Sequence, residues 1–173
     1  MSSIEEVAAE SAPITTHDSF TVERNYRSPP SRVFAAFKDP AIKRRWLVEG
    51  PGFEIDEFTI DFRVGGREFS RFRMSNPEFS SSEMTNDGYY FDIRPNQRIV
   101  FGYSMTNLGV PFSASLATVT FEPAGSGTKL TYHEQCAFFE GSDGTKMRRS
   151  GWTSLLERLA EELGEEFSAS TWG

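Results

Sequence analysis

The sequence predicts an α+β fold: one twisted antiparallel sheet packed against a single long C-terminal helix. Three observations lead there. From Asp143 to Leu163, at 100° per residue, Met147, Gly151, Leu155, Leu159, Trp152, Leu163 and Leu156 share one half of a helical cylinder, and Ser150, Thr153, Ser154, Glu157 and Glu161 the other. The stretches before it alternate apolar and polar residues with period two and are rich in Phe, Tyr, Ile and Val. The lengths also match, since a helix of about 21 residues spans roughly 31 Å, as does a strand of about nine or ten. Laying that helix on that sheet buries both apolar surfaces.

In chain order, Ser19 to Arg27 carries Phe20, Val22 and Tyr26 and reads as a first strand. Ser28-Pro29-Pro30-Ser31 opens a short helix, because proline is tolerated in a first turn. Val33, Phe34 and Phe37 form its buried side. Asp39-Pro40 repeats the signal for a second short helix with Ile42, Trp46 and Leu47, and Pro51-Gly52 ends it. Lys43-Arg44-Arg45 is read as the wet face of that helix. From Phe53 a strand follows with Phe58, Ile60, Phe62 and Val64 on one face. Gly65-Gly66 turns into the strand Arg67 to Met74, and the polar stretch Ser75 to Ser82 is a loop. Glu83 to Ile93 is a long strand in which Asp87-Gly88 marks a bulge or close approach and not a turn. After Pro95-Asn96, Ile99, Phe101, Tyr103 and Met105 alternate; Asn107 to Pro111 is a loop. Ala117, Val119 and Phe121 then face one way, and Gly125-Ser126-Gly127 turns into Leu130, Tyr132, Glu134 and Cys136.

Length and composition fit one domain with a full core: 173 residues, of which 14 % are aromatic and 16 are Phe. The formal charge of −7 is uneven, with −4 in residues 1–18, −4 in residues 157–173 and +1 between them. We expect a disordered acidic tail over 1–18, a domain over 19–164 and a flexible tail over 165–173. A near-neutral body with no concentrated basic face argues against nucleic acid as a partner. No long apolar run, signal segment or lipidation motif is present, which argues against membrane insertion. The single Cys136 suits a reducing, cytoplasmic location.

Several chemistries lack their residues. His133-Glu134 has Ala137 where a zinc-protease helix needs a second histidine, and His133 and Cys136 point to opposite faces of a strand. No phosphate loop, dinucleotide fingerprint or nucleophile elbow occurs. Neither metal nor cofactor is therefore expected. Glu134 is the informative polar residue, because alternation puts it with Leu130 and Tyr132 under the long helix. A carboxylate there must be paired or protonated. It is either one half of a structural salt bridge or a polar anchor, or general acid/base, in an apolar pocket. Arg148, at the centre of the helical stripe, either snorkels to water or points inward. Gly151 in the same stripe allows either close packing or room for a ligand.

The motifs Ser28-Pro-Pro-Ser-Arg-Val-Phe-Ala-Ala-Phe-Lys-Asp-Pro40 with Trp46, Asp61-Phe-Arg-Val-Gly-Gly-Arg67 and Asp92-Ile-Arg-Pro-Asn-Gln-Arg-Ile-Val-Phe101 come in that order. Val119-Thr-Phe-Glu-Pro-x-Gly-x-Gly-Thr128 and Arg149-Ser-Gly-Trp-x-x-x-Leu156 follow. Together they resemble the SRPBCC (START-like, helix-grip) superfamily, in its branch named for the activator of Hsp90 ATPase. The resemblance covers about Phe20 to Leu163. It implies a START/Bet v1-like fold, a curved antiparallel sheet of six to seven strands gripping the C-terminal helix, with two short helices after the first strand. It also implies a cavity for lipids, sterols, polyketides or other apolar molecules, and transfers no catalytic residue. Co-chaperones of that name carry a separate N-terminal domain, where this chain has an 18-residue tail.

The first reading is therefore binding of a small apolar or aromatic ligand, such as a lipid or polyketide, between sheet and helix. Its candidate lining is Trp46, Phe58, Phe62, Arg71, Tyr90 and Phe101, with Tyr103, Glu134, Arg148, Gly151, Trp152 and Leu155. The alternative is a cyclase/dehydratase or hydrolase with Glu134 as acid/base, and a third is a chaperone-interacting domain. A protein partner or a homodimer is compatible with each.

Overall fold

The computed structural model describes residues 12–74 and 82–165. The chain begins with strand β1 (Thr16–Tyr26), helix α1 (Pro30–Lys38) and helix α2 (Pro40–Leu47). Strands β2 (Phe53–Ile60), β3 (Arg67–Met74), β4 (Glu83–Arg94) and β5 (Arg98–Asn107) follow. Strands β6 (Val110–Ala124) and β7 (Gly127–Phe138) lead to helix α3 (Thr145–Glu162). All seven strands form one antiparallel sheet in the order β1-β7-β6-β5-β4-β3-β2. The two expected tails lie largely outside the described residues, as does most of the polar stretch after Met74.

Local chemistry explains the element ends. Asp39 caps α2 by accepting from the backbone N–H groups of Ala41 and Ile42 at 2.9 and 3.3 Å, which satisfies two donors a helix start leaves open. Pro30 and Pro40 each stand in a first turn, where no N–H is needed. Gly88 lies inside β4 as expected, and its missing side chain matters. A Cβ there would come within 2.6 Å of the Gly102 carbonyl oxygen and 3.0 Å of Tyr103 Cβ.

Alternation holds best in the middle of the sheet. On β7, Leu130, Tyr132, Glu134 and Cys136 all face α3; Ala117, Val119 and Phe121 of β6 and Ile99 and Tyr103 of β5 are buried on the same side. Rings from both short helices pack into this core. Phe37 meets Trp46 and Phe121 edge-on at 5.0 and 5.4 Å, and Trp46 donates its indole N–H to the Ala36 carbonyl. The Tyr26 hydroxyl donates to the Leu156 carbonyl at 2.8 Å and ties α3 to β1. Edge-to-face rings and a satisfied polar tip are how large aromatics fill a core without an unpaired group.

Four expectations need correction. β1 starts at Thr16, three residues early, because it pairs with β7 to its end, Thr16 opposite Phe138. The strand from Phe53 stops at Ile60, so Val64 does not share the inner face and is 57 % exposed. The backbone turns there, with the Asp61 N–H donating to Arg67 and the Gly65 N–H to Tyr90. The expected loop Asn107 to Pro111 is a tight two-residue turn, with Leu108 and Gly109 at φ 50° and 78°. Positive φ at both central residues matches the strand twist of a hairpin, and leucine is an unusual residue for it. In α3 the buried side is Arg148, Trp152, Leu156, Leu159 and Ala160, with Leu163 just beyond it. Met147 and Gly151, expected inside the stripe, are exposed.

Candidate functional site

The register gathers polar side chains from three neighbouring strands under the first turn of α3. Tyr103 on β5 is opposite Ser115 on β6, which is opposite Cys136 on β7; Ala117 is opposite Glu134. Inward-facing β6 thus offers only Ser113, Ser115 and Ala117 in this region. These small residues leave room for the guanidinium of Arg148, reaching down from the helix.

Glu134 is completely buried and accepts four hydrogen bonds. Tyr103 and Tyr132 hydroxyls donate to Oε1 at 2.6 and 2.5 Å, and Ser115 Oγ and Arg148 Nη1 to Oε2 at 2.9 and 3.2 Å. Arg148 is equally well used. Nε and Nη2 form a fork on Asp143 at 2.8 and 2.9 Å, Nη2 also donates to Ser113 Oγ at 2.8 Å, and Nη1 lies 3.2 Å from the Tyr103 hydroxyl. The guanidinium is therefore a bridge between two carboxylates, one fully buried and one at the helix start. Burial works against its charge, but Tyr103, Asp143 and Glu134 together more than offset this and hold its pKa above the usual value. Burial raises the Tyr103 and Tyr132 pKa values well above the normal phenol range, with Glu134 adding to the effect, so both remain donors.

This arrangement answers the question raised by Glu134. It is one half of a buried salt bridge, and its lone pairs are taken by donors of the fold. The carboxylate that the acid/base reading relied on is fully engaged. His133 turns to the other face of the sheet, where Nδ1 lies 2.8 Å from Thr21 Oγ1.

Beside the network, and sharing Tyr103 and Trp152 with it, is a cleft between α2, the sheet and α3. Phe37, Lys43, Leu47, Glu68, Asn86, Gly88, Tyr89, Tyr90 and Phe101 complete its lining. The room it leaves for a water-sized guest is about 20 Å³, little more than one water, within about 420 Å³ of empty space that includes the solvent at its mouth. Trp152 stacks on Tyr132 at 4.0 Å and donates its indole N–H to the Tyr103 hydroxyl at 3.3 Å. A broader depression of about 670 Å³, around Ser19, Ala114, Gln135 and Ala137, lies on the opposite face of the sheet and is shallow.

Of the expected lining residues, Tyr90, Phe101, Tyr103 and Trp152 meet at this cleft, and Glu134 and Arg148 lie next to it. Trp46 is buried in the core behind Phe37, Phe62 packs edge-on against Tyr90 at 5.0 Å, and Leu155 is half-buried against the core. Phe58, on the edge strand β2, is half-buried and outside the cleft lining. Arg71 and Gly151 do not line it either. Arg71 faces away, forming ion pairs with Glu57 and Glu83 over the Phe69 ring. Gly151 has open space around it and makes no room for anything.

The largest omission is Lys43. It is 4 % exposed, although the basic cluster reads as a solvated face. A signal was present: Lys43 precedes Trp46 by three residues and Leu47 by four, which puts all three on one side of α2.

The family model described as "Activator of Hsp90 ATPase homolog 1-like protein" matches residues 27–164. The chain belongs to this family. The AHSA1-like branch of the SRPBCC superfamily, expected from the motifs, and the helix-grip fold are thereby established. Protein Mll3558 from Rhizobium loti is 49 % identical over 86 % of this chain and 99 % of its own, with a TM-score of 0.76. A protein from Rhizobium leguminosarum is 32 % identical over 89 % and 99 %, with a TM-score of 0.80. One from Chromobacterium violaceum is 25 % identical over 86 % and 98 %, at 0.69. No curated protein matches the chain. In general terms, the AHSA1-like family is one of ligand-binding domains. Among the described residues no helix is long and apolar enough to cross a membrane, and no three metal-ligating side chains cluster.

Proposed function

We propose that this AHSA1-like domain binds a small, largely apolar aromatic ligand in the cleft between α2, the sheet and α3. The supporting observation is convergence: rings of Phe37, Tyr90, Phe101 and Trp152 line one cleft together with the polar groups of Lys43 and Glu68. The space now present, about that of one water, means that even a compound of one or two rings must displace the rim, and a lipid chain or polyketide would need far more. Entry displaces the rim, where Leu47 ends α2 and Asn86 is half-buried. Burying ~200 Å² of ring surface is worth roughly 5 kcal/mol at ~25 cal/mol per Å². Association costs leave only weak, roughly millimolar, affinity from apolar contact alone.

Trp152 lines the cleft and should report occupancy by its fluorescence. Titration with naphthalene derivatives should give saturable quenching, and Asn86→Phe, filling the cleft from its rim, should abolish it. No saturable signal from any ring compound, or unchanged binding in Asn86→Phe, would overturn the proposal. The acid/base reading has no comparable support, because Glu134 has no lone pair left for a substrate.

A further inference from the structure

A lysine with 4 % exposure in the wall of an aromatic cleft needs a reason. A leucine or methionine would fill the same space without the cost of burying a charge. Lys43 Nζ lies 5.8, 5.6 and 5.9 Å from the ring centroids of Phe37, Tyr90 and Phe101, so three π faces surround the ammonium. It donates to Glu68 Oε1 at 2.5 Å and lies 3.2 Å from the Tyr90 hydroxyl. Tyr90 in turn donates to the same Glu68 oxygen at 2.6 Å. One carboxylate oxygen thus sits between a cation and a phenol, at the polar end of the cleft.

The two partners differ in how firmly they are held. The Lys43 side chain is 5 % exposed and that of Glu68 is 19 % exposed. Glu68 is also the second residue of β3, next to the turn at 61–66, and is the more exposed of the two partners.

Building on the binding reading above, we propose that the ligand is an aromatic acid whose carboxylate replaces that of Glu68 on Lys43 and Tyr90. Glu68 is the resident counter-ion of the closed cleft. When it leaves, the ligand carboxylate inherits both donors, and the ring lies against Phe101 and Trp152. One carboxylate contact is gained for the one lost, so the acid's advantage over a neutral ring is that Lys43 and Tyr90 stay paired while the Glu68 carboxylate returns to water. The exchange also sets specificity, since a neutral ring compound has nothing to offer Lys43 in return for Glu68.

The experiment compares 2-naphthoate with 2-naphthamide, of the same shape and without the charge, by calorimetry on the full chain. The acid should bind at least tenfold more tightly. Lys43→Met should abolish the preference for the acid over the amide, whatever it does to the binding of both. Glu68→Gln, which removes the competing anion, should raise the acid-over-amide affinity ratio several-fold. Equal binding of the two compounds to the unaltered protein would overturn the proposal, even if Lys43→Met fails to fold. So would an acid preference that survives in Lys43→Met. Binding of the amide alone would sink this inference and keep the binding reading; binding of neither would sink both.

Discussion

Replacing Arg148 by methionine tests the buried network most directly. The side chain volume is kept approximately, while Glu134 loses its cationic partner and retains only the Tyr103, Tyr132 and Ser115 hydroxyls. Breaking one side of a buried ion pair costs ~3–5 kcal/mol, because the remaining charge is left without compensation. Glu134 has no exposed surface through which water could compensate it. For a chain of 173 residues each kcal/mol is worth about 2–4 °C in Tm, so the midpoint should fall by roughly 6–20 °C. Adding Glu134→Gln to Arg148→Met should recover ~1–2 kcal/mol, since the amide oxygen can accept from both tyrosines and no charge stays buried. Urea unfolding followed by near-UV circular dichroism measures both. A loss below ~1 kcal/mol for Arg148→Met, or a double variant no better than the single one, would refute the account of Arg148 as the partner of Glu134.

Gly151→Ala should stabilise the protein by ~0.5–1 kcal/mol, since the exposed helical position has open space for a methyl group; thermal unfolding would show a higher midpoint. Gly88→Ala should cost ~1–3 kcal/mol, because its Cβ meets backbone and Tyr103, whereas at Gly102 the nearest obstacle, at 2.6 Å, is the edge of the exposed Phe91 ring. Gly102→Ala should therefore be the milder of the two in the same urea assay. Tyr26, Tyr90, Tyr103 and Tyr132 all have pKa values raised by burial. Above about pH 10 the unfolded chain releases phenol protons that the native state keeps, so stability falls by ~1.4 kcal/mol per pH unit for each. Absorbance at 295 nm should show these four ionising only in the step where near-UV dichroism is lost.

How much of the site could be seen in the chain depended on the length scale of each cause. Tyr132, Glu134 and Cys136 share a face because strand alternation has a period of two, and this placed Glu134 under the helix correctly. Alternation alone carries the strand from Phe53 too far, because Phe62 and Val64 continue it through a turn held by long-range backbone bonds to Arg67 and Tyr90. The hairpin at Leu108-Gly109 carried no recognisable turn pair. A helical wheel misplaces Met147 and Gly151 because it gives relative angles, while the tilt of α3 over the sheet decides which arc is covered at each end.

Amino-acid order alone determined the α+β class and the long terminal helix laid on an antiparallel sheet, because these follow from periodicities and turn residues acting within a few positions; the family and the curved grip rested on the resemblance of five motifs. It also left Glu134 with two roles open. Only the folded chain decided between them, by bringing Tyr103, Ser115 and Arg148 from three separate elements to the two oxygens of Glu134. The burial of Lys43 was decided in the same way. Its partners Glu68 and Tyr90 lie 25 and 47 residues along the chain, and no local pattern records a contact of that separation.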